Sequence, residues 1–215
     1  IMVAAGTYEE NVIVNKTVEI YGAGQGSTIV IPAISGALPV GCAGSICAGS
    51  SNVFLVQANN VIIHDLVVDG DNPDLTSGYV RNGADLDARN GIIKNTDATY
   101  NNLEVYNVTM QNIYLRGIYS TGGSFDFHNN TVTNVMGDAY SIAMFAWGGP
   151  GIMSENVVSY ANDAISANHS KGIQFLNTVI GKMSGVVTDA RQMAEPFAIG
   201  FATPSLPWHM AHLAS

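Results

Sequence analysis

Apolar and polar positions alternate in short runs along most of this chain, and the runs repeat. Leu103-x-Val105-x-Asn107, Phe125-x-Phe127-x-Asn129, Ile152-x-Ser154-x-Asn156 and Ile173-x-Phe175-x-Asn177 share one pattern. Each closes with Asn two residues after its second inward position, at Asn-to-Asn intervals of 22, 27 and 21. A second column keeps step: Arg116-Gly117-Ile118, Asp138-Ala139-Tyr140, Asp163-Ala164-Ile165 and Ser184-Gly185-Val186, at intervals of 22, 25 and 21. Two columns in step at a period in the low twenties predict stacked repeats rather than a closed globular core.

Alternation with a period of two predicts strands, and no amphipathic run approaches the roughly 12 residues a helix needs. Asn accepts the left-handed backbone of a sharp corner. Upstream, Val18-x-Ile20-x-Gly22 and Val61-x-Ile63-x-Asp65 place Gly and Asp at the same corner. In the Phe125 repeat Asn130 competes with Asn129 for it. The leucine-rich repeat signature is missing. The pattern predicts an all-β, single-domain, right-handed parallel β-helix (a solenoid) of about seven coils. Stacked amides about one strand spacing apart predict an Asn ladder at the corner.

The helix is predicted over residues 1–193, with loop insertions at 32–52 and 70–90. The first insertion is rich in Pro, Gly and Ser and carries Cys42 and Cys47, which either close a small disulfide or stay as free thiols. The second is polar and acidic. An excursion is read at Met144–Gly151, carrying Phe145 and Trp147. After Arg191 the period disappears, and 194–215 is read either as a C-terminal cap or as a non-native tail. The chain opens inside a coil with no secretory leader, which predicts a trimmed chain or a fragment. An uncapped terminal coil would invite end-to-end self-association.

Composition narrows the partners. A net charge of −9 argues against nucleic acid and anionic membrane. No run of 18 apolar residues spans a membrane. A polyanionic sugar would need Ca²⁺ to bridge it to so acidic a chain. Four N-x-Ser/Thr sequons, at Asn15, Asn107, Asn129 and Asn168, carry no weight in an Asn-rich chain.

The opening Ala5-Gly6-Thr7-Tyr8-Glu9-Glu10-Asn11-Val12, followed by Val18-Glu19-Ile20-Tyr21-Gly22-Ala23-Gly24 and Thr28-Ile29-Val30, resembles the first coils of pectin lyase-like β-helix proteins. The resemblance covers roughly residues 1–190 and is specific for the fold rather than for an activity. It implies a secreted or extracytoplasmic, carbohydrate-active protein, a polysaccharide hydrolase or lyase. The other expectation, from a different class, is a non-catalytic adhesin-type solenoid that binds glycans or spaces other modules.

The second column supplies the candidate chemistry. Arg116, Asp138 and Asp163 are expected on successive coils at the start of one strand. Carboxyls about 5 Å apart suit a retaining glycosidase and about 6.5–9.5 Å an inverting one. Asp before Ala also serves simply to turn the chain into a strand. Gly137-Asp138-Ala139 and Asn162-Asp163-Ala164 resemble the acidic motif of polygalacturonases, without that family's Asn-Thr-Asp triplet, paired Asp-Asp or Gly-His-Gly. A lyase would use Arg116 or Lys171 as base, with Ca²⁺ on Asp69, Asp71 and Asp74. Oxygen-rich clusters suit that ion, although an acidic solvated loop has the same composition. Pro73 and the missing Glu exclude an EF-hand, and no methylesterase arrangement is present. Trp147, His169 and Lys171 are the candidate substrate contacts. Tyr119 and Tyr140 are expected in the core or on its flank.

Overall fold

The computed structural model describes residues 1–95 and 97–181. Ser184-Gly185-Val186 of the second column, His209, His212 and the segment 194–215 lie outside the described residues. Within them the chain is all-β, without a helix. It runs β1 (Gly6–Glu9), β2 (Val12–Val14), β3 (Val18–Tyr21), β4 (Thr28–Ile31), β5 (Asn52–Val56) and β6 (Val61–Asp69). A short pair, β7 (Val80–Arg81) and β8 (Ala84–Asp85), follows, then β9 (Asn90–Lys94), β10 (Leu103–Ile113) and β11 (Arg116–Thr121). The remainder is β12 (Phe125–His128), β13 (Thr131–Val135), β14 (Ile142–Trp147), β15 (Gly151–Ser154), β16 (Val157–Ala161), β17 (Asp163–Asn168), β18 (Ile173–Leu176) and β19 (Val179–Ile180).

Two parallel sheets hold all of these strands except β7 and β8. One has eleven strands, and the other six, in the order β17-β14-β11-β9-β5-β2. The chain crosses from the smaller sheet to the larger and back, as β9 to β10, β11 to β12 and β13, and β14 to β15 and β16. Each pass lies in register on the one before, an arrangement consistent with a β-solenoid. The antiparallel β7–β8 pair is a hairpin inside the insertion 70–90, turned by Asn82 and Gly83 with positive φ.

The corner column sets the fold. Asp65, Asn107, Asn129 and Asn177 have φ between 48° and 55°. There the inward step changes from two residues to three: Val61, Ile63, then Leu66 and Val68 all enter the core. Leu103, Val105, Val108 and Met110 repeat this one pass later. Two further corners use the same chemistry, at Asn60 and Asn102 and at Asn112 and Asn134. Amide ladders tie them: Asn102 Nδ2 donates to Asn60 Oδ1 at 2.8 Å and Asn134 Nδ2 to Asn112 Oδ1 at 2.7 Å.

Three expectations are corrected. In the Ile152 repeat the corner is Glu155, with φ 55°, not Asn156, so Met153 and not Ile152 faces the core. Asn156 lies one residue further on, fully buried. Its Oδ1 accepts from Asn130 Nδ2 at 3.0 Å, and its Nδ2 donates to Phe127 O at 2.8 Å. Gly22 does not adopt positive φ; a Cβ there would meet Asp65 O at 2.4 Å, so close approach requires its glycine. The second column also has a different register: Arg116 pairs with Ile142, and Ile142 with Asp163. Asp138 belongs to the turn before β14, because the turn between β13 and β14 is longer than its neighbours.

Candidate functional site

The smaller sheet carries apolar residues on its outer side as well as inside. Ile93, Tyr119, Ile142 and Phe145 form a buried cluster separate from the main core, with Ile46 and Leu55 against it. Tyr119 and Phe145 are cross-strand partners whose rings stack at 4.7 Å. Such a cluster needs a cover, and the insertion 32–52 supplies part of it.

That insertion is held firmly. Cys42 and Cys47 form a disulfide, which settles the two readings of the cysteines. Arg89, only 2% exposed, donates from Nη1 to Ala37 O at 2.8 Å, from Nη2 to Gly44 O at 2.5 Å and from Nε to Ser45 O at 3.2 Å. Asn90 Nδ2 adds a bond to Ser45 O at 2.8 Å. Burial lowers the pKa of Arg89, against the opposing pull of Asp138 and Tyr114. A buried cation bonded to several backbone carbonyls converts a Gly- and Ser-rich loop into a fixed wall.

Between this wall and the sheet lies an open groove of about 780 Å³. Gly44, Ser45 and Ile46 line one side, with Tyr119, Ile142, Phe145 and Ser166 beneath and Tyr140, Trp147 and Asn168 around the rim. Arg116 and Asp163 are its charged residues. The Arg116 guanidinium lies 4.8 Å from the Phe145 ring centroid, its Nε donates to Ser45 Oγ at 3.3 Å, and its Nη1 bonds the Tyr140 carbonyl. Burial brings its pKa down to about 10, with Tyr119, Asp138 and Asp163 holding it up, so it remains a cation at neutral pH.

Among the expected catalytic residues, Arg116 and Asp163 meet in the groove. Asp138 does not line it. Its Oδ1 accepts from Tyr140 N at 2.8 Å, and its carbonyl accepts from Asn162 Nδ2. It acts on the site from behind, through the field it exerts on Arg116 and Arg89. The expected Asp138–Asp163 pair on matching positions of neighbouring strands is therefore not formed.

Trp147 ends β14 rather than riding an excursion loop, and the turn proper is Gly148-Gly149-Pro150. It is 43% exposed, its ring 6.2 Å from Phe145 and 4.4 Å from His169. Lys171 is exposed just beyond. Tyr119 is buried as expected, whereas Tyr140 is 75% exposed at the rim.

The acidic insertion does not assemble its expected ion site. Asp69 Oδ2 accepts from Gln111 Nε2 at 2.6 Å and Oδ1 from Asn112 Nδ2 at 2.7 Å. Asp74 is exposed. Among the described residues no group of three His, Cys, Asp or Glu side chains is placed to hold a metal. Asp69, Asp71 and Asp74 are thus not gathered into one three-carboxylate group, and Asp69 is engaged at the third corner.

Arg89 and the Tyr119–Phe145 floor were invisible to spacing, since their roles depend on how the insertion folds back. No helix among the described residues is long and apolar enough to cross a membrane. No family model matches the chain, and neither does any curated protein or solved structure.

Proposed function

We propose that this chain is a right-handed parallel β-helix of about seven coils that acts on, or holds, an extracellular polysaccharide in the groove beside the Cys42–Cys47 loop. The groove itself carries this reading. It is open, floored by stacked rings, edged by exposed Trp147 and Tyr140, and lined by one cation and one carboxylate. Few charges among apolar and aromatic surface is the make-up of a small-molecule site. An open site suits a segment of a chain rather than an enclosed metabolite. The disulfide favours an oxidising compartment, which supports a secreted or extracytoplasmic location.

In a catalytic protein Asp163 is the acid–base residue, and Arg116 neutralises charge that develops on the sugar or holds a uronate carboxylate. The Arg116 fork lines the groove, held at Nε by Ser45 Oγ and at Nη1 by the Tyr140 carbonyl. One observation favours a non-catalytic glycan-binding solenoid instead: Asp138 is committed to its own turn, which leaves one carboxylate in the groove where hydrolysis generally uses two.

Product release from neutral and uronic polysaccharides, with Ca²⁺ or chelator, separates these readings when wild type is compared with Asp163→Asn. Release lost in the variant marks an enzyme, and unsaturated ends distinguish elimination from hydrolysis. Retention on a polysaccharide column without release, lost in Trp147→Ala, marks a binding protein. Neither release nor retention by folded protein would reject both.

A further inference from the structure

The groove changes character from one strand to the next. β14 turns Ile142, Phe145 and Trp147 toward it, and the neighbouring β17 turns Asp163, Ser166 and Asn168 toward it at the matching positions. Three apolar side chains thus face three polar ones across a single strand spacing of about 4.8 Å. Among the described residues nothing bonds the Ser166 hydroxyl or the Asn168 side-chain amide, although Ser166 is only 4% exposed. The polar atoms there that are both sealed from solvent and unbonded lie elsewhere, on Asp87, Asn90, Ser120 and Asp126, so the Ser166 hydroxyl is open to the groove it lines. A nearly buried hydroxyl with no partner of its own is placed to bond a ligand.

Charge points to an uncharged ligand. Arg116 is the groove's one cation, and its Nε and Nη1 already bond Ser45 Oγ and the Tyr140 carbonyl. Asp163 stands two strands away on the same face, in a chain of net charge −9. A polyuronate carries a negative charge on every unit and would meet that carboxylate beyond the single cation. The ligand must also pass from apolar to polar over one strand spacing. A pyranose with all its hydroxyls equatorial does so, because C–H groups make up its faces and hydroxyls its rim.

Resting on the groove as a polysaccharide site, we propose that its ligand is an uncharged chain of all-equatorial, β-1,4-linked pyranoses, of glucan or xylan type, and that Ser166 and Asn168 set this specificity. The chain lies along β14 and β17. One C–H face rests against Trp147, which is 43% exposed, and the hydroxyl rim meets Asn168 and Ser166. Asp163 and Asn168 end this line about 16 Å apart at the usual rise per residue, room for more than one sugar unit. An axial hydroxyl would press a polar group onto the apolar strand and leave a β17 partner unmet.

Calorimetric titration of the full chain with cellohexaose and xylohexaose tests this, and the tighter of the two tells glucan from xylan. Mannohexaose, which turns one hydroxyl per unit axial, and the β-1,4-glucuronate hexamer, which keeps the ring and adds a charge, are the comparisons. The better neutral all-equatorial hexamer is expected to bind at least tenfold more tightly than either. Ser166→Ala and Asn168→Ala should each weaken it about fivefold and narrow its lead over mannohexaose. Mannohexaose or the glucuronate binding as tightly would overturn the specificity and leave the groove a polysaccharide site. Wild-type affinity in both variants, or in Trp147→Ala, would overturn the placement on β14 and β17. Binding of none of the four by folded protein would overturn the polysaccharide reading along with it.

Discussion

Arg116 and Phe145 stand on neighbouring strands with the guanidinium 4.8 Å from the ring centroid. Stacking, the Nε bond to Ser45 Oγ and the Nη1 bond to the Tyr140 carbonyl all need a planar fork, which an ammonium lacks. Arg116→Lys keeps the charge and loses the geometry. It is expected to cost about 1–2 kcal/mol in urea unfolding and to weaken any groove ligand about tenfold. An Arg116→Lys protein matching wild type in both would show that only charge matters there.

Two devices hold the loop 32–52, and their magnitudes differ. Closing so short a loop with the Cys42–Cys47 disulfide is worth about 2 kcal/mol by chain entropy. Removing the Arg89 head group strands the Ala37 and Gly44 carbonyls around its buried site, while Ser45 O keeps its bond from Asn90, at about 3 kcal/mol or more. Arg89→Met should therefore lower the urea midpoint further than reduction and alkylation does. Reduced protein should keep most of its groove binding, because Arg89 and Asn90 still grip Ser45.

The parallel strands and most corner residues were legible in the sequence because both depend on local spacing. Asp65, Asn107 and Asn129 are types that tolerate positive φ, and alternation marks the neighbours that enter the core. The Ile152 repeat misled because Glu155, an unusual residue for positive φ, takes the corner while Asn156 turns inward. Arg116 and Asp163 were found, and Asp138 was misplaced, because register depends on turn length, which spacing alone does not fix.

Asn129 and Asn130 make opposite predictions although adjacent. Asn129 is exposed at the corner, so Asn129→Gly should change stability by a few tenths of a kcal/mol. Asn130 is 1% exposed, donates to Val105 O at 2.9 Å and accepts from Val108 N at 3.1 Å. Asn130→Leu should cost about 3 kcal/mol in denaturant unfolding. A near-neutral Asn130→Leu would mean that the inner ladder carries little stability.

Lys94 is fully buried, its Nζ donating to Tyr100 O at 2.7 Å, and burial brings its pKa down to about 8. The folded value lies below the ordinary 10.5, so between about pH 8 and 10 the unfolded chain holds more protons. This contribution to stability therefore rises with pH across that window, by up to about 3 kcal/mol. Lys94→Met should remove the rise. Parallel pH profiles for the two proteins would show that Lys94 is solvated in the fold.

The lengths of the turns have a consequence for change. Both long insertions, and the lengthened turn holding Asp138, come just before strands of the smaller sheet. The corners vary as well: residues 22–27 separate β3 from β4 at the principal corner, and residues 95–102 lead from β9 into β10. The two longest insertions nevertheless share one margin of the molecule, and the one at 32–52 borders the groove. A lineage, or an engineer, can exchange the segment between Pro32 and Ser51 and present a new recognition edge. The stacked interior of Ile63, Val105, Phe127 and Met153 would go on building the same frame beneath it.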